Sequence, residues 1–163
     1  MRTYTLAIDP GPAESAFVLA ANVDHLPIRI GKIPNGALLA ELDDICAAFG
    51  ACVAIEMVAS YGMPVGAEVF DTCVWIGRYL ERCSSSQTPP VLVYRREVKL
   101  HHCGTARAND ANITQALIDR FAPGAPNRGK GTKAKPGWFH GFKADIWQAY
   151  ALAVYVADQA GVS

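Results

Sequence analysis

Alternating and continuous apolar runs predict four strands in the first part of the chain. Thr3–Ile8 is a short β-rich run followed by the turn sequence Asp9-Pro10-Gly11-Pro12, and similar runs follow at Ser15–Ala21 and Ile28–Ile33. Three such runs at close spacing predict an antiparallel meander. Ala51–Met57 is almost continuously apolar, which is typical of a strand that is buried on both faces and runs parallel to its neighbour.

Helical spacing of apolar residues predicts the remaining elements. Asn35 is expected to cap a first helix that ends at Gly50. The other predicted elements are a helix over Ala67–Arg82, a fifth strand at Val91–Tyr94, and helices over Arg95–His102, Asn109–Phe121 and Lys143–Gln159. This order predicts an α/β fold in which a mixed five-stranded sheet is flanked by helices.

The length of 163 residues is that of a single domain, so we expect one unit over residues 1–163. Residues 122–142 are rich in glycine and proline, show no apolar periodicity, and are predicted to form a mobile loop. The formal net charge is zero, so any nucleic-acid surface depends on how the charges are distributed.

The five cysteines form no Cys-x-x-Cys pair, which argues against a zinc site or a disulfide framework and favours a reducing compartment. The N-terminus does not resemble a signal peptide, and no apolar run is long enough to span a bilayer. We therefore expect a cytoplasmic protein without a membrane partner.

Carboxylates stand at two strand ends where burial is expected. Asp9 ends the first strand, and Glu56 lies near the end of the fourth. A carboxylate is rarely buried unless it is paired or binds a metal. If the two strands are parallel neighbours, both side chains meet at the carboxyl edge of the sheet, where α/β proteins bind ligands. Asp145, in the first turn of the last predicted helix, is placed to join them.

Each carboxylate also has a structural interpretation. Asp9 in Asp-Pro-Gly is equally well explained as a turn residue. Glu56 is otherwise a solvent-facing strand end, and an isolated Asp145 is best explained as an acid at a helix N-terminus. The ordered set of three favours a Mg²⁺ site, with Mn²⁺ able to substitute. Two such ions, about 4 Å apart, can drive phosphodiester hydrolysis.

Three segments together resemble the RuvC-type Holliday junction resolvases of the ribonuclease-H-like superfamily. They are Ala7-Ile8-Asp9-Pro10-Gly11-Pro12, Ala54-Ile55-Glu56, and the run from Ala144-Asp145 through Gln148 to Ala153. Arg96-Glu97-Val98-Lys99 with Gly104 resembles the connecting segment of the family. Gly62-Met63-Pro64-Val65-Gly66 and Trp75-Ile76-Gly77-Arg78 look closer to the phage and prophage branch.

The resemblance implies a metal-dependent endonuclease that resolves Holliday junctions during recombination or phage DNA processing. It assigns catalytic and metal-binding roles to Asp9, Glu56 and Asp145. Gln148 stands where the family usually has a fourth acid, and we expect it to coordinate through its carbonyl oxygen or through water. The number of metals stays open, as does any contribution from Glu14, Glu68, Asp71, Asp110 or His140.

A DNA surface is expected from basic residues after the fifth strand and in the glycine-rich segment. The predicted phosphate contacts are Arg95, Arg96, Lys99, Arg107, Lys130 and Lys133, with Arg128 and Lys135 nearby. Solvated surface lysines explain the segment around Lys133 equally well. By the resemblance, Tyr61 and Met63 contact bases at the junction centre, and the protein acts as a homodimer with Phe70 and Trp75 in the core or the dimer contact.

Three alternatives remain open from the sequence. The protein could be a less selective nuclease for branched or flap DNA, or a junction-binding protein that has lost activity together with the acid at Gln148. A sugar-kinase-like ATPase domain also begins with an Asp- and Gly-bearing strand. That fold needs a second, similar domain, for which this chain is too short.

Overall fold

One mixed sheet of five strands forms the centre of the computed structural model, which describes residues 3–84 and 89–161. β1 pairs antiparallel with β2, β2 antiparallel with β3, and β4 runs parallel to β1 and to β5. The order across the sheet is β3-β2-β1-β4-β5, which confirms the predicted architecture. The strands are β1 (Tyr4–Asp9), β2 (Glu14–Ala21), β3 (Pro27–Pro34), β4 (Cys52–Met57) and β5 (Val91–Tyr94).

Five α-helices cover the sheet within the described ranges, and one 3₁₀ turn occupies Pro126–Gly129. Asn109 caps the fourth helix by accepting a hydrogen bond from the Asn112 amide, as predicted. In the described part of the chain, no helix combines the length and the apolar character needed to cross a bilayer. The helices are α1 (Asn35–Phe49), α2 (Ala67–Ser84), α3 (Arg95–Cys103), α4 (Asp110–Phe121) and α5 (Ile146–Gly161).

The alternation of side chains along the strands produces two packed layers. One face of the sheet carries small residues such as Ala7, Ala16 and Ala54 and is covered by α5. The opposite face carries larger residues, including Ile8 and Ile55, and is covered by α1 and α2. The small side chains let α5 lie close to the middle of the sheet, where it contacts β1, β2 and β4.

The starts of two helices differ from the prediction. Asn35 is the first residue of α1 rather than its cap, and its buried side chain makes no capping hydrogen bond. α5 begins at Ile146, so Asp145 precedes the helix instead of lying within its first turn. The carbonyl of Asp145 accepts hydrogen bonds from the amides of Gln148 and Ala149, which makes it the residue from which the helix starts.

Residues 122–142, the predicted mobile loop, carry aromatic side chains that pack against α5. Phe139 and Phe142 are buried there, with ring centroids 4.6 Å from Trp147 and 5.3 Å from Tyr150 respectively. Gly129 is required in this turn because an added Cβ would lie 2.6 Å from the Cβ of Ala122. Isolated aromatic residues among glycines and prolines have no periodicity, so the sequence pattern did not reveal this packing.

Candidate active site

Asp9 and Glu56 lie side by side at the carboxyl ends of two parallel strands. Ile8 of β1 is in register with Ile55 of β4, so the next residues along each strand are the two acids. The alternation that sends Ile8 and Ile55 to the α1 side sends both carboxylates to the α5 side. The predicted meeting of these two residues at the sheet edge is therefore present in the structure.

These acids belong to a row of side chains that crosses the whole sheet on the α5 face. Lys32 of β3 is in register with Ala16 of β2, and Ala16 is in register with Asp9. Glu56 is in register with Val93 of β5. The row thus places a lysine on one flank of the acid pair, with only the small Ala16 between Lys32 and Asp9.

Asp145 lies next to this row on the α5 side of the sheet, directly before the first residue of α5. Its Oδ2 lies 2.5 Å from Nζ of Lys32. Ala144, just before it, has a positive φ of 43°, an uncommon conformation for a non-glycine residue that turns the chain into the helix. The unsatisfied amides at the start of α5 favour a negative charge at this position.

Arg95 closes the other side of the acid pair. It is the first residue of α3, and its guanidinium bridges two carboxylates: Nη1 lies 3.0 Å from Oε1 of Glu56, and Nη2 lies 2.5 Å from Oδ1 of Asp110. Asp110 is the first residue of α4. A single arginine therefore ties the end of β4 to the beginning of α4.

The side chain of Asp9 makes no hydrogen bond or ion pair with any residue in the described ranges, although it is mostly buried. Burial raises the pKa of its carboxyl well above the ordinary value, and the negative charge of Glu56 raises it further, against the opposing effect of Arg95. Burial also raises the pKa of Glu56, although the charge and hydrogen bond of Arg95 oppose this increase. The positive charge of Arg95 therefore offsets the raised pKa of Asp9 only in part.

Two adjoining cavities open at this edge of the sheet, and Arg95 lines both. One, of about 590 Å³, is lined by Asp9, Asp110 and Asp145 together with Glu14 and Lys32. The other, of about 570 Å³, has a mostly apolar wall next to Glu56. Its lining includes Tyr61, Val65, Val69, Arg96 and Lys99.

The predicted DNA-contacting residues divide into two groups. Tyr61, Arg95, Arg96 and Lys99 line the cavity beside Glu56. The other predicted contacts line neither cavity; they are Met63, which is 75% exposed, Arg107, Lys130 and Lys133.

The other acids that the sequence offered as possible metal ligands also fall into two groups. Glu14 and Asp110 line the same cavity as Asp9, whereas Glu68 and Asp71 are exposed on α2 and line neither cavity. His140 is exposed and its Nδ1 lies 3.4 Å from the carbonyl oxygen of Lys130. Gln148 lies on the first turn of α5 after Asp145 and is only 5% exposed.

A buried polar network beneath the site was not predicted. Asn35 Nδ2 donates to the carbonyl of Gly11 at 2.9 Å, and the Ser15 hydroxyl donates to Asn35 Oδ1 at 2.6 Å. The Tyr79 hydroxyl lies 3.1 Å from both Ser15 Oγ and Asn35 Oδ1. The network fixes the turn that follows Asp9. The one feature of the sequence that points to this network is the polar residue Asn35 directly after a predicted strand.

The donor set is suited to a hard divalent cation. Asp9, Glu56 and Asp145 offer carboxylate oxygens and Gln148 an amide oxygen, the donors that Mg²⁺ and Mn²⁺ prefer. The unpaired, largely buried Asp9 is the residue whose charge such an ion would compensate. In residues 3–84 and 89–161, no group of three or more His, Cys, Asp or Glu side chains is already arranged around a metal position. Two of the candidate ligands are instead engaged by Arg95 and Lys32.

No protein-family model matches the chain, and no curated protein matches it in sequence. Solved structures of RuvC from Thermus thermophilus do match it in three dimensions. One aligns with a TM-score of 0.70 and 14% identity over 98% of this chain and 96% of that chain. Another, RuvC in complex with a Holliday junction substrate, aligns with a TM-score of 0.72 and 15% identity over the same shares of both chains.

This chain has the ribonuclease-H-like fold of RuvC. The similarity covers nearly the whole of both chains, so the five-stranded sheet and its helices correspond as one unit. The fold implied by the three short sequence segments is thereby confirmed, although the overall identity to RuvC is only 14–15%. At that identity, a function has to come from the side chains of the site itself.

Proposed function

We propose that this protein is a metal-dependent endonuclease that cuts four-way DNA junctions. The observation that carries this proposal is the adjacency of Asp9 and Glu56 on the α5 face, below Asp145. Placing the mostly buried carboxylates of Asp9 and Glu56 side by side is unfavourable unless a cation joins them. The RuvC structure that holds a Holliday junction supports branched DNA as the substrate class.

The chain's own residues have separable roles in this proposal. Asp9, Glu56 and Asp145 hold the cation, and Gln148 is an auxiliary oxygen donor one turn below Asp145. A Mg²⁺ or Mn²⁺ ion held by these residues would supply charge stabilisation at the scissile phosphate and a more acidic bound water. The open cavity beside Asp9 leaves room for a phosphate next to these oxygens.

The DNA strand is proposed to run past the cavity beside Glu56. Arg96 and Lys99 lie on its wall and provide phosphate contacts, which add affinity without reading sequence. Tyr61, which is 71% exposed at the same cavity, presents an aromatic face on which an unstacked base can pack, and Met63 extends the same loop. Arg107, Lys130 and Lys133 are proposed as more distant phosphate contacts.

We also propose that the enzyme acts as a homodimer, because two opposed cuts on a two-fold junction suit a two-fold protein. The helix α2 carries exposed apolar side chains at Phe70 and Val74, which are 62% and 61% exposed. Trp75 is partly buried and packs on the core below them. The thiols of Cys73, Cys83 and Cys103 are free, which fits action in the cytoplasm of a bacterial or phage-infected cell.

Cleavage of end-labelled substrates tests the proposal. A mobile four-way junction, a flap and a linear duplex of the same sequence are each incubated with the protein in Mg²⁺, Mn²⁺ or EDTA. We expect paired cuts in the junction with either metal and none in EDTA. Faster cutting of the flap would favour a less selective branched-DNA nuclease. Tight junction binding without cutting in any metal would indicate a junction-binding protein and refute the proposed activity.

A further inference from the structure

Three carboxylates around the site, those of Asp145, Glu56 and Asp110, are each held by a basic side chain from the chain itself. Lys32 engages Asp145 at 2.5 Å, and Arg95 engages Glu56 at 3.0 Å and Asp110 at 2.5 Å. These cations stand at opposite flanks of the row that contains Asp9 and Glu56. Their positions therefore balance the negative charge of the site from both sides.

The two basic residues differ in how firmly they are held. The Lys32 side chain reaches Asp145 from an edge strand, with 35% of its surface exposed. The Arg95 side chain is 29% exposed and is shared between two acids, so it is bound in two directions. A lysine is a flexible point charge, whereas the arginine fork is more rigid. Lys32 is accordingly the side chain that can leave its carboxylate more easily.

We propose that Lys32 and Arg95 are internal counter-cations that stabilise the carboxylate site without metal and compete with a divalent cation for Asp145 and Glu56. The inference rests on the proposed metal-dependent function and adds the residues that set its metal affinity. A divalent ion and an ammonium group repel each other across a shared carboxylate, so metal binding requires Lys32 to give up its ion pair. Released from Asp145, Lys32 is a free cation at the rim of the same cavity, available to a substrate phosphate.

Arg29 provides a matched control on the same strand. It lies three residues before Lys32, pairs with Glu41 of α1, and places its guanidinium over Phe17 on the opposite face of the sheet. Substituting Arg29→Gln removes the same charge and a comparable ion pair without touching the carboxylate site. Any effect of net charge alone on metal binding should therefore appear equally in both variants.

Binding of Mn²⁺ to the full-length protein without DNA, followed by isothermal titration calorimetry or electron paramagnetic resonance, tests the proposal. We expect Lys32→Gln to bind Mn²⁺ about three- to tenfold more tightly than wild type, the effect of one partly exposed charge. Arg29→Gln should bind like wild type. Arg95→Lys retains the positive charge at this position on α3. Its Mn²⁺ affinity should therefore be closer to that of wild type than the affinity of Arg95→Gln.

Thermal unfolding supplies a second measurement. Without metal, Lys32→Gln should melt at a lower temperature than wild type, because Asp145 loses its counter-charge. Saturating Mn²⁺ should narrow that difference, since an ion that binds the folded state stabilises it. A deficit that is the same with and without Mn²⁺ would indicate a purely structural role for Lys32 and would overturn the proposal.

The remaining outcomes separate this inference from the proposed function. If wild type binds Mn²⁺ in a manner that Asp9→Asn abolishes, and Lys32→Gln binds equally or more weakly, the counter-cation role is wrong while the metal site stands. If wild type shows no Mn²⁺ binding that depends on Asp9, both the metal-dependent function and this inference fail.

Discussion

The side chain of Asn35 donates a hydrogen bond from Nδ2 to the backbone carbonyl of Gly11 at 2.9 Å. This contact joins the first residue of α1 to the turn that follows Asp9. Gly11 has no room for a side chain, because a Cβ there would lie 2.5 Å from the carbonyl oxygen of Glu14. The position of the catalytic candidate Asp9 therefore depends on a tight turn that is fixed from below by a buried amide.

Substitutions in the buried network should loosen this turn. We expect Tyr79→Phe to cost about 1–2 kcal/mol of stability, because its hydroxyl lies within hydrogen-bonding distance of Ser15 and Asn35 and both are buried. The comparison is thermal unfolding against Tyr61→Phe, whose ring is 71% exposed. Equal melting temperatures for the two variants would show that the network adds nothing to the fold.

The cluster of basic side chains around Asp158 should contribute to the stability of the fold in a pH-dependent way. Burial alone would raise the pKa of Asp158, but hydrogen bonds from Arg120, His25 and His101 outweigh it and hold the pKa well below the ordinary value. A carboxyl with a lowered pKa stabilises the fold above its unfolded pKa of about 4, and this contribution disappears as the pH falls below that value. The carboxylate of Asp158 lies 2.7 Å from side-chain nitrogens of His25 and Arg120 and 2.6 Å from that of His101.

We therefore expect Asp158→Asn to lower the melting temperature at pH 7 by about 2–4 °C for each kcal/mol lost. The gap to wild type should shrink as the pH is lowered from 5 to 3. Asp44→Asn, an exposed acid on α1, is the control and should follow wild type throughout. A gap between Asp158→Asn and wild type that stays constant over this range would contradict the linkage.

Phosphate contacts should appear in the salt dependence of junction binding. We expect Arg96→Ala or Lys99→Ala to reduce the slope of log K against log salt by about 1, since each lost contact releases one counter-ion fewer. Arg82→Ala is a suitable control, because Arg82 pairs with Asp43 at the opposite end of α2 from the site. An unchanged slope for both Arg96→Ala and Lys99→Ala would show that these residues do not contact DNA phosphates.

Asp145 and Gln148 should differ in their effect on metal dependence. Gln148 is neutral and only 5% exposed, so we expect Gln148→Ala to raise the Mg²⁺ concentration needed for half-maximal cleavage by about ten- to hundredfold, as for an auxiliary group. Asp145→Asn removes the only charge that the start of α5 offers and should be more damaging. Gln148→Asp should lower the required Mg²⁺ if the shorter side chain reaches the ion. Equal losses in Asp145→Asn and Gln148→Ala would refute this division of roles.

Much of the fold was predictable because its elements have strong local patterns. The strand Val91–Tyr94 and the cap at Asn109 agree with the structure, since short β-rich runs and helix caps are encoded within a few residues. The proximity of Asp9 and Glu56 was predictable for a different reason. Both follow buried strands, and parallel strands end at the same edge of a sheet.

The ion pairs of the site were not predictable from local sequence. Arg95 was interpreted as a phosphate contact because it belongs to a basic run, yet it bridges Glu56 and Asp110, which are 39 and 15 residues away. No role was predicted for Lys32, which lies on an edge strand. Its partner Asp145 is 113 residues away in the sequence. Such pairs depend on which strands become neighbours, so they follow from the register of the sheet rather than from any motif.

Single-turnover cleavage of a labelled four-way junction tests the central claim most directly. Wild type, Asp9→Asn and Glu56→Gln are compared in Mg²⁺, with junction binding measured in EDTA and folding checked by thermal unfolding. Asp9→Asn should keep or raise the melting temperature, because it removes a largely buried charge that has no partner in the described structure. We predict that both variants bind the junction like wild type and lose cleavage by about three orders of magnitude or more. Near-wild-type turnover in either variant would contradict the assignment of Asp9 and Glu56 as the metal-binding catalytic pair.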